Sequence, residues 1–195
     1  VSSETCIACL TCVRVCPFEI PKIKEDENFA HIGNDCQSCG MCIVECPAKA
    51  IEFKGPYEDM GKDQLQEVFK ETKISEPLII NFYCSYNLDL ALSKEELPEN
   101  IRQVNLLSLG KLSPGLILNA FEKGADGILI TSCNDSCHFG DSCYTWAEQR
   151  AETVMEFLAS IGIEKERVKY HMLPNQDGDS FLQTANQLIR VIKAL

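Results

Sequence analysis

Eight of the twelve cysteines fall into two matching runs. Cys6, Cys9, Cys12 and Cys16 recur as Cys36, Cys39, Cys42 and Cys46, each 30 positions later, and Pro17 recurs as Pro47. The spacing is Cys-x2-Cys-x2-Cys-x3-Cys-Pro, twice. An internal repeat of this kind marks two copies of one structural unit. Thiolate is a soft ligand, suited to iron in iron–sulfur clusters or to zinc. Three cysteines so spaced sit on one tight loop and can wrap three irons of a cubane, while the fourth points elsewhere. The proline after it turns the chain and donates no backbone hydrogen bond. Structural zinc sites commonly use two separated pairs of ligands, and disulfide frameworks belong to secreted proteins. Neither spacing is seen here, so the runs read as iron–sulfur loops. Gly40 suits a place where backbone approaches sulfur closely. Its counterpart is Leu10, so the first loop is expected to be the less regular.

Over nearly its whole length this stretch resembles the two-cluster bacterial ferredoxins. The resemblance implies an α+β ferredoxin-like fold for residues 1–58, two 4Fe–4S clusters and a one-electron relay. It also implies crossed ligation, the fourth cysteine of each run serving the other run's cluster. Cys6, Cys9, Cys12 and Cys46 would then hold the first cluster, and Cys36, Cys39, Cys42 and Cys16 the second.

The elements that position these loops are short. Glu19 to Ile23, a charged turn from Lys24 to Asn28, and Phe29 to Ile32 read as a small hairpin, with a final strand at Ile51–Phe53. Residues 59–76 form a helical linker: Leu65, Val68 and Phe69 recur at helical spacing, predicting a helix from about Lys62 to Thr72. Residues 77–195 alternate strand and helix. Strands are expected at Leu78–Tyr83, Ile101–Leu106, Gly127–Thr131 and Arg167–Leu173. Helices are expected after the Ser113-Pro114 start signal up to Gly124, over Tyr144–Ser160 before Gly162, and over Ser180–Leu195. Such alternation implies an α/β fold with a parallel sheet covered on both faces, of flavodoxin-like type.

Four cysteines remain: Cys84, Cys133, Cys137 and Cys143. Cys84 and Cys133 follow strands, which places them at the carboxyl edge of a parallel sheet, where sites usually sit. Cys137 and Cys143 share the loop after Cys133. Four converging thiols would match one 2Fe–2S cluster or a zinc ion, or they stay unliganded. The runs Gly124 to Ile130, Cys133 and Cys137-His138-Phe139 resemble the delta subunit of methyl-viologen-reducing hydrogenase. So do Cys84-Ser85-Tyr86, Gly110 to Pro114, and Ile163 to Val168. That resemblance implies a 2Fe–2S cluster and electron transfer between a hydrogenase, or another donor, and heterodisulfide reductase. The implied partners are hydrogenase or formate dehydrogenase subunits and a flavin-containing heterodisulfide-reductase-like subunit. This chain departs from the family near Cys84, where more cysteines are usual, and at about Ser108, where another falls. Cys143 stands as a replacement ligand.

With 29 acidic against 18 basic residues the net charge is −11. Nucleic acid needs clustered Lys and Arg, and no such stripe appears. A basic patch on a protein partner suits this surface better. No apolar run reaches the eighteen or so residues of a membrane span, and the N-terminus does not read as a signal peptide. The expected setting is therefore the cytoplasm, where thiols stay reduced. The chain opens at Val1, so either an initiator methionine has been removed or the residues belong to a longer polypeptide. Dinucleotide and phosphate-loop fingerprints are missing, and no nucleophile–base pair stands out. The chain reads as an electron-transfer component without substrate chemistry of its own. The competing reading makes the C-terminal half a docking module with unliganded thiols. His138 reads either as a ligand or hydrogen-bond partner of cluster sulfur or as a loop histidine with no special role. His31, His171 and Trp146 read as structural, and Asp135, Asp141 and Glu148 as a solvated face.

Overall fold

A computed structural model describes residues 1–54, 60–70, 75–84, 97–133, 137–173 and 177–195. The two cysteine runs adopt one backbone twice. Helix α1 (Thr11–Val15) follows the first loop and α2 (Met41–Val44) the second. Left-handed φ angles recur 30 residues apart: Ala8 at 52° with Ser38 at 60°, Leu10 at 62° with Gly40 at 79°, and Glu19 at 53° with Lys49 at 52°. Left-handed backbone costs a residue with a side chain roughly 1–2 kcal/mol. The conformation persists only where the surroundings over-determine it. The expectation of a less regular first loop is corrected: Leu10 takes the glycine conformation, at that cost.

Strands β1 (Lys22–Ile23) and β2 (Ala30–His31) pair antiparallel, Ile23 opposite Ala30. The hairpin forms where expected. The strand expected at Ile51–Phe53 does not. Its apolar alternation is met by packing instead of pairing. Ile51 is buried with Cys12, Ala30, Cys46 and Ala50, and the Phe53 ring lies 4.7 Å from the Lys111 ammonium.

Helix α3 (Met60–Val68) begins two residues before the expected start at Lys62, and the predicted end at Thr72 lies outside the described residues. It packs on the edge of the sheet: Gln64 Oε1 accepts from Asn105 N at 2.8 Å, and Gln64 Nε2 donates to Asn105 Oδ1. Leu65 is fully buried. Among the described residues the sheet has four parallel strands in the order β4-β3-β5-β6: β3 (Ile79–Cys84), β4 (Ile101–Leu106), β5 (Gly127–Ser132) and β6 (Val168–Met172). Every residue of β3 and β5 is buried, as strands covered on both faces must be.

Among the described residues three further helices cover the sheet: α4 (Pro114–Glu122), α5 (Asp141–Ser160) and α6 (Gly178–Ile192). Ser113 caps α4, its Oγ accepting from Leu116 N at 3.1 Å, with Pro114 in the first turn. Gly124, at φ 109°, follows its end. One face of the sheet packs on α6 through Phe181, Ala185 and Leu188. The other packs on α3, α4 and α5, and this larger core also takes in Cys39 and Met41 from the second cysteine loop. No described helix is long and apolar enough to cross a membrane.

Candidate metal centre

The crossed grouping inferred from resemblance is the grouping the backbone brings together. Cys6, Cys9 and Cys12 line one cavity with Cys46, which arrives from the other repeat. Cys36, Cys39 and Cys42 line a second with Cys16. The geometry follows from the short helices. The fourth cysteine of each run lies past the end of its helix, away from the loop that precedes it, and the twin loop sits there. Apart from Thr11 in the first cavity and Gln37 in the second, the remaining lining is apolar, with Ile23, Ala30 and Ile51 around the first and Phe18, Ile20 and Ile32 around the second.

The thiols fit a polynuclear cluster. The sulfurs surround a cavity, four to each. Burial raises the pKa of Cys12 and of Cys39, and it pushes Cys42 up to about 12, helped by the charges of Cys39, Cys36, Cys16 and Cys12. Such thiols need a metal's positive charge to become thiolates. Backbone donors face the sulfurs: Ala50 N lies 3.3 Å from Cys46 Sγ. The hydroxyl and N–H of Thr11 hold the Cys9 pKa below its ordinary value, with Sγ and Oγ1 3.3 Å apart. Cys36 is the exposed member of the set.

The C-terminal thiols gather at the carboxyl end of β5. Cys133 follows the strand, and Cys143 lies in the first turn of α5. Cys137 hydrogen-bonds with both, which raises its pKa. Cys143 is lowered by the Cys137 bond first, then by Ser108 and the backbone N–H groups of Gly110 and Leu109. Ser108 Oγ is 3.4 Å from Cys143 Sγ and fully buried. Ser108, where the resemblance implied another cysteine, is thus in contact with the Cys143 thiol. Cys84 ends β3, one strand across, with its Sγ 3.5 Å from Leu107 O and its side chain in the same core as Cys143.

His138 is exposed and meets the Phe139 ring edge-on at 5.1 Å. His31 bonds Glu27 and stacks near Phe29, and His171 is held between Ser180 and Thr184 at 3.4 Å. Trp146 packs against the larger core; Asp141 and Glu148 are exposed, and Asp135 lies outside the described residues. Sequence reasoning missed Arg150. The signal was present: Cys143, Ala147, Ala151, Val154 and Leu158 form the buried face of α5, and Arg150 falls on it. A charge on such a face is rarely buried unless paired.

The family model for the delta subunit of methyl-viologen-reducing hydrogenase matches residues 79–195. The chain belongs to this family. Residues 5–51 match the 4Fe-4S dicluster domain, which makes the N-terminal part of this delta-subunit relative a 4Fe–4S domain. Over 126 residues the chain is 32% identical to an iron-sulfur subunit of the vhc F420-non-reducing hydrogenase of Methanococcus voltae, covering 62% of the chain and 87% of that protein. Over 201 residues it is 28% identical to one subunit of the ferredoxin:CoB-CoM heterodisulfide reductase of Methanosarcina mazei, covering all of the chain and 25% of that protein. The chain therefore spans a quarter of the reductase polypeptide it matches end to end. Ferredoxin-1 of Caulobacter vibrioides is 40% identical over 63 residues, 31% of the chain and 54% of that protein.

Proposed function

We propose that the chain is an electron-transfer subunit or segment that relays single electrons within an oxidoreductase complex of the hydrogenase and heterodisulfide reductase type. Residues 1–58 form the ferredoxin-like part, 59–76 the helical link and 77–195 the delta-type part. The observation that carries this reading is the sharing of each cavity by three cysteines of one repeat and the fourth of the other. Cys6, Cys9, Cys12 and Cys46 hold one 4Fe–4S cluster, and Cys36, Cys39, Cys42 and Cys16 hold the second. Such clusters supply one-electron storage at potentials tuned by burial and hydrogen bonding. The chain supplies the thiolates, the amide donors and the apolar walls that keep water from the sulfurs.

Cys133, Cys137 and Cys143, with Cys84 one strand away, are the ligand set for a 2Fe–2S cluster, with Ser108 hydrogen-bonded beside it. The relatives are iron–sulfur subunits of F420-non-reducing hydrogenases and a component of heterodisulfide reductase. The partners are accordingly a hydrogenase or formate dehydrogenase and a flavin-bearing reductase subunit, in a cytoplasm that keeps thiols reduced. Iron and acid-labile sulfide analysis of anaerobically purified chain tests this. About ten irons per chain match three clusters, and about eight match two with the C-terminal thiols free. A colourless, iron-free protein would end the relay reading.

A further inference from the structure

Arg150 is the buried charged side chain among the described residues, at 5% exposure. Its Nη1 donates to Gly110 O at 3.0 Å and Leu112 O at 2.9 Å, and lies 3.5 Å from Leu109 O. Its Nη2 donates to Glu45 Oε1 at 2.7 Å. The guanidinium carbon is 5.5 Å from the Trp146 ring. Glu45 lies at the end of α2, between Cys42 and Cys46. One side chain therefore ties the turn beneath the C-terminal thiols to the helix that follows the second cysteine loop. The two surfaces meet closely. A Cβ on Gly40 would fall 2.2 Å from Lys111 Cγ, and one on Gly110 would fall 2.8 Å from Cys39 O.

The repeat makes this contact selective. Thirty residues before Glu45 stands Val15, which cannot accept from a guanidinium, and Leu10 stands in place of Gly40. The first loop keeps Leu10 45% and Ile7 65% exposed. At the two positions that meet Arg150 and Lys111, the loops differ, and both differences favour the second.

We propose that Arg150 is a positioning residue: it selects the second cysteine loop over its twin and holds the Cys16, Cys36, Cys39 and Cys42 site beside Cys143. That site, and not the Cys6, Cys9, Cys12 and Cys46 site, is the ferredoxin half's connection to the C-terminal thiols. This rests on the relay reading above. The test compares the full chain with Arg150→Ala, Arg150→Lys and Glu45→Gln, all prepared without air. Iron content, EPR-monitored redox titration and deuterium uptake over residues 38–42 and 108–112 are measured, with Cys39→Ser marking the second site's signal. Arg150→Ala is expected to keep its iron. Solvent exposure is one determinant of cluster potential, so the second site's potential should shift while the first stays, with uptake rising in both segments. Arg150→Lys should restore part of the shift, since an ammonium keeps the Glu45 partner but not the planar fork. Glu45→Gln should move the same signal less, and it serves if Arg150→Ala fails to fold. Iron retained with both potentials and the uptake unchanged overturns the inference. An iron-free wild-type chain overturns the relay reading instead, and the uptake data still decide whether Arg150 clamps the loop.

Discussion

Replacing Gly110 by alanine is a sharp test of how tightly the two halves are packed. Gly110 sits in a 3-10 turn, Leu109–Lys111, with its N–H donating to Ser108 Oγ at 2.9 Å. An added Cβ would meet Met41 Cγ at 2.7 Å, Cys39 O at 2.8 Å and Ser108 Oγ at 3.0 Å. None of these can give easily. Met41 is fully buried, Cys39 O is backbone, and Ser108 Oγ is fixed between Gly110 N and the Cys143 thiol. Overpacking of this kind costs about 1–3 kcal/mol. At about 2–4 °C per kcal/mol for a chain of this size, the midpoint should fall by roughly 2–12 °C. The assay is thermal unfolding under nitrogen, followed by far-UV circular dichroism. Two glycines calibrate it. At Gly115 the nearest atom to an added Cβ is Ser113 Oγ at 3.8 Å, so alanine should be neutral or stabilising by up to about 1 kcal/mol. At Gly127 the nearest atom, Ile192 Cδ1 at 2.1 Å, is a side-chain tip that can swing aside, so the effect should be intermediate. A Gly110→Ala protein that melts with the wild type, or above it, would refute the packing argument.

Leu10→Gly should stabilise. Relief of the left-handed strain, about 1–2 kcal/mol, outweighs the added chain entropy of glycine, about 0.5–1 kcal/mol, and the side chain is already 45% exposed. A lower melting midpoint would show that Leu10 is held by contacts worth more than its strain. Burial, with a smaller push from Lys169, keeps the His171 pKa below its ordinary 6.5. The unfolded chain then takes up a proton more readily than the folded one, so stability is lost as pH falls through 6.5 toward the folded pKa. Between about pH 7.5 and about pH 5.5 the midpoint of His171→Gln should fall less than that of the wild type, and equal falls would sink the assignment.

The α/β half was legible because its signals are local. Ser113-Pro114 and Gly124 bracket α4, and the apolar runs of β3 and β5 leave little choice but a doubly covered sheet. The eight repeat cysteines were legible from spacing, and the structure brings them together four and four. What failed was non-local. Ile51–Phe53 carries strand-like alternation, but a strand needs a partner that three residues cannot announce. Leu10 in a left-handed conformation contradicts its own propensity, and only the match with Gly40 hinted at it. Ser108 and Arg150 lie 42 residues apart in sequence, and their roles exist only once the α5 helix and the Leu109–Lys111 turn come together.

Crossed ligation is the claim on which the rest depends, and single-cysteine variants test it most directly. EPR spectra of the reduced Cys16→Ser chain should be compared with those of Cys9→Ser, which on the proposed ligation removes a ligand of the first loop's cluster, and Cys39→Ser, which on the same proposal removes one of the second's. The spectrum of Cys16→Ser should follow that of Cys39→Ser, losing the second loop's signal and keeping the first. A Cys16→Ser spectrum that follows Cys9→Ser, with the second loop's signal intact, would contradict the account.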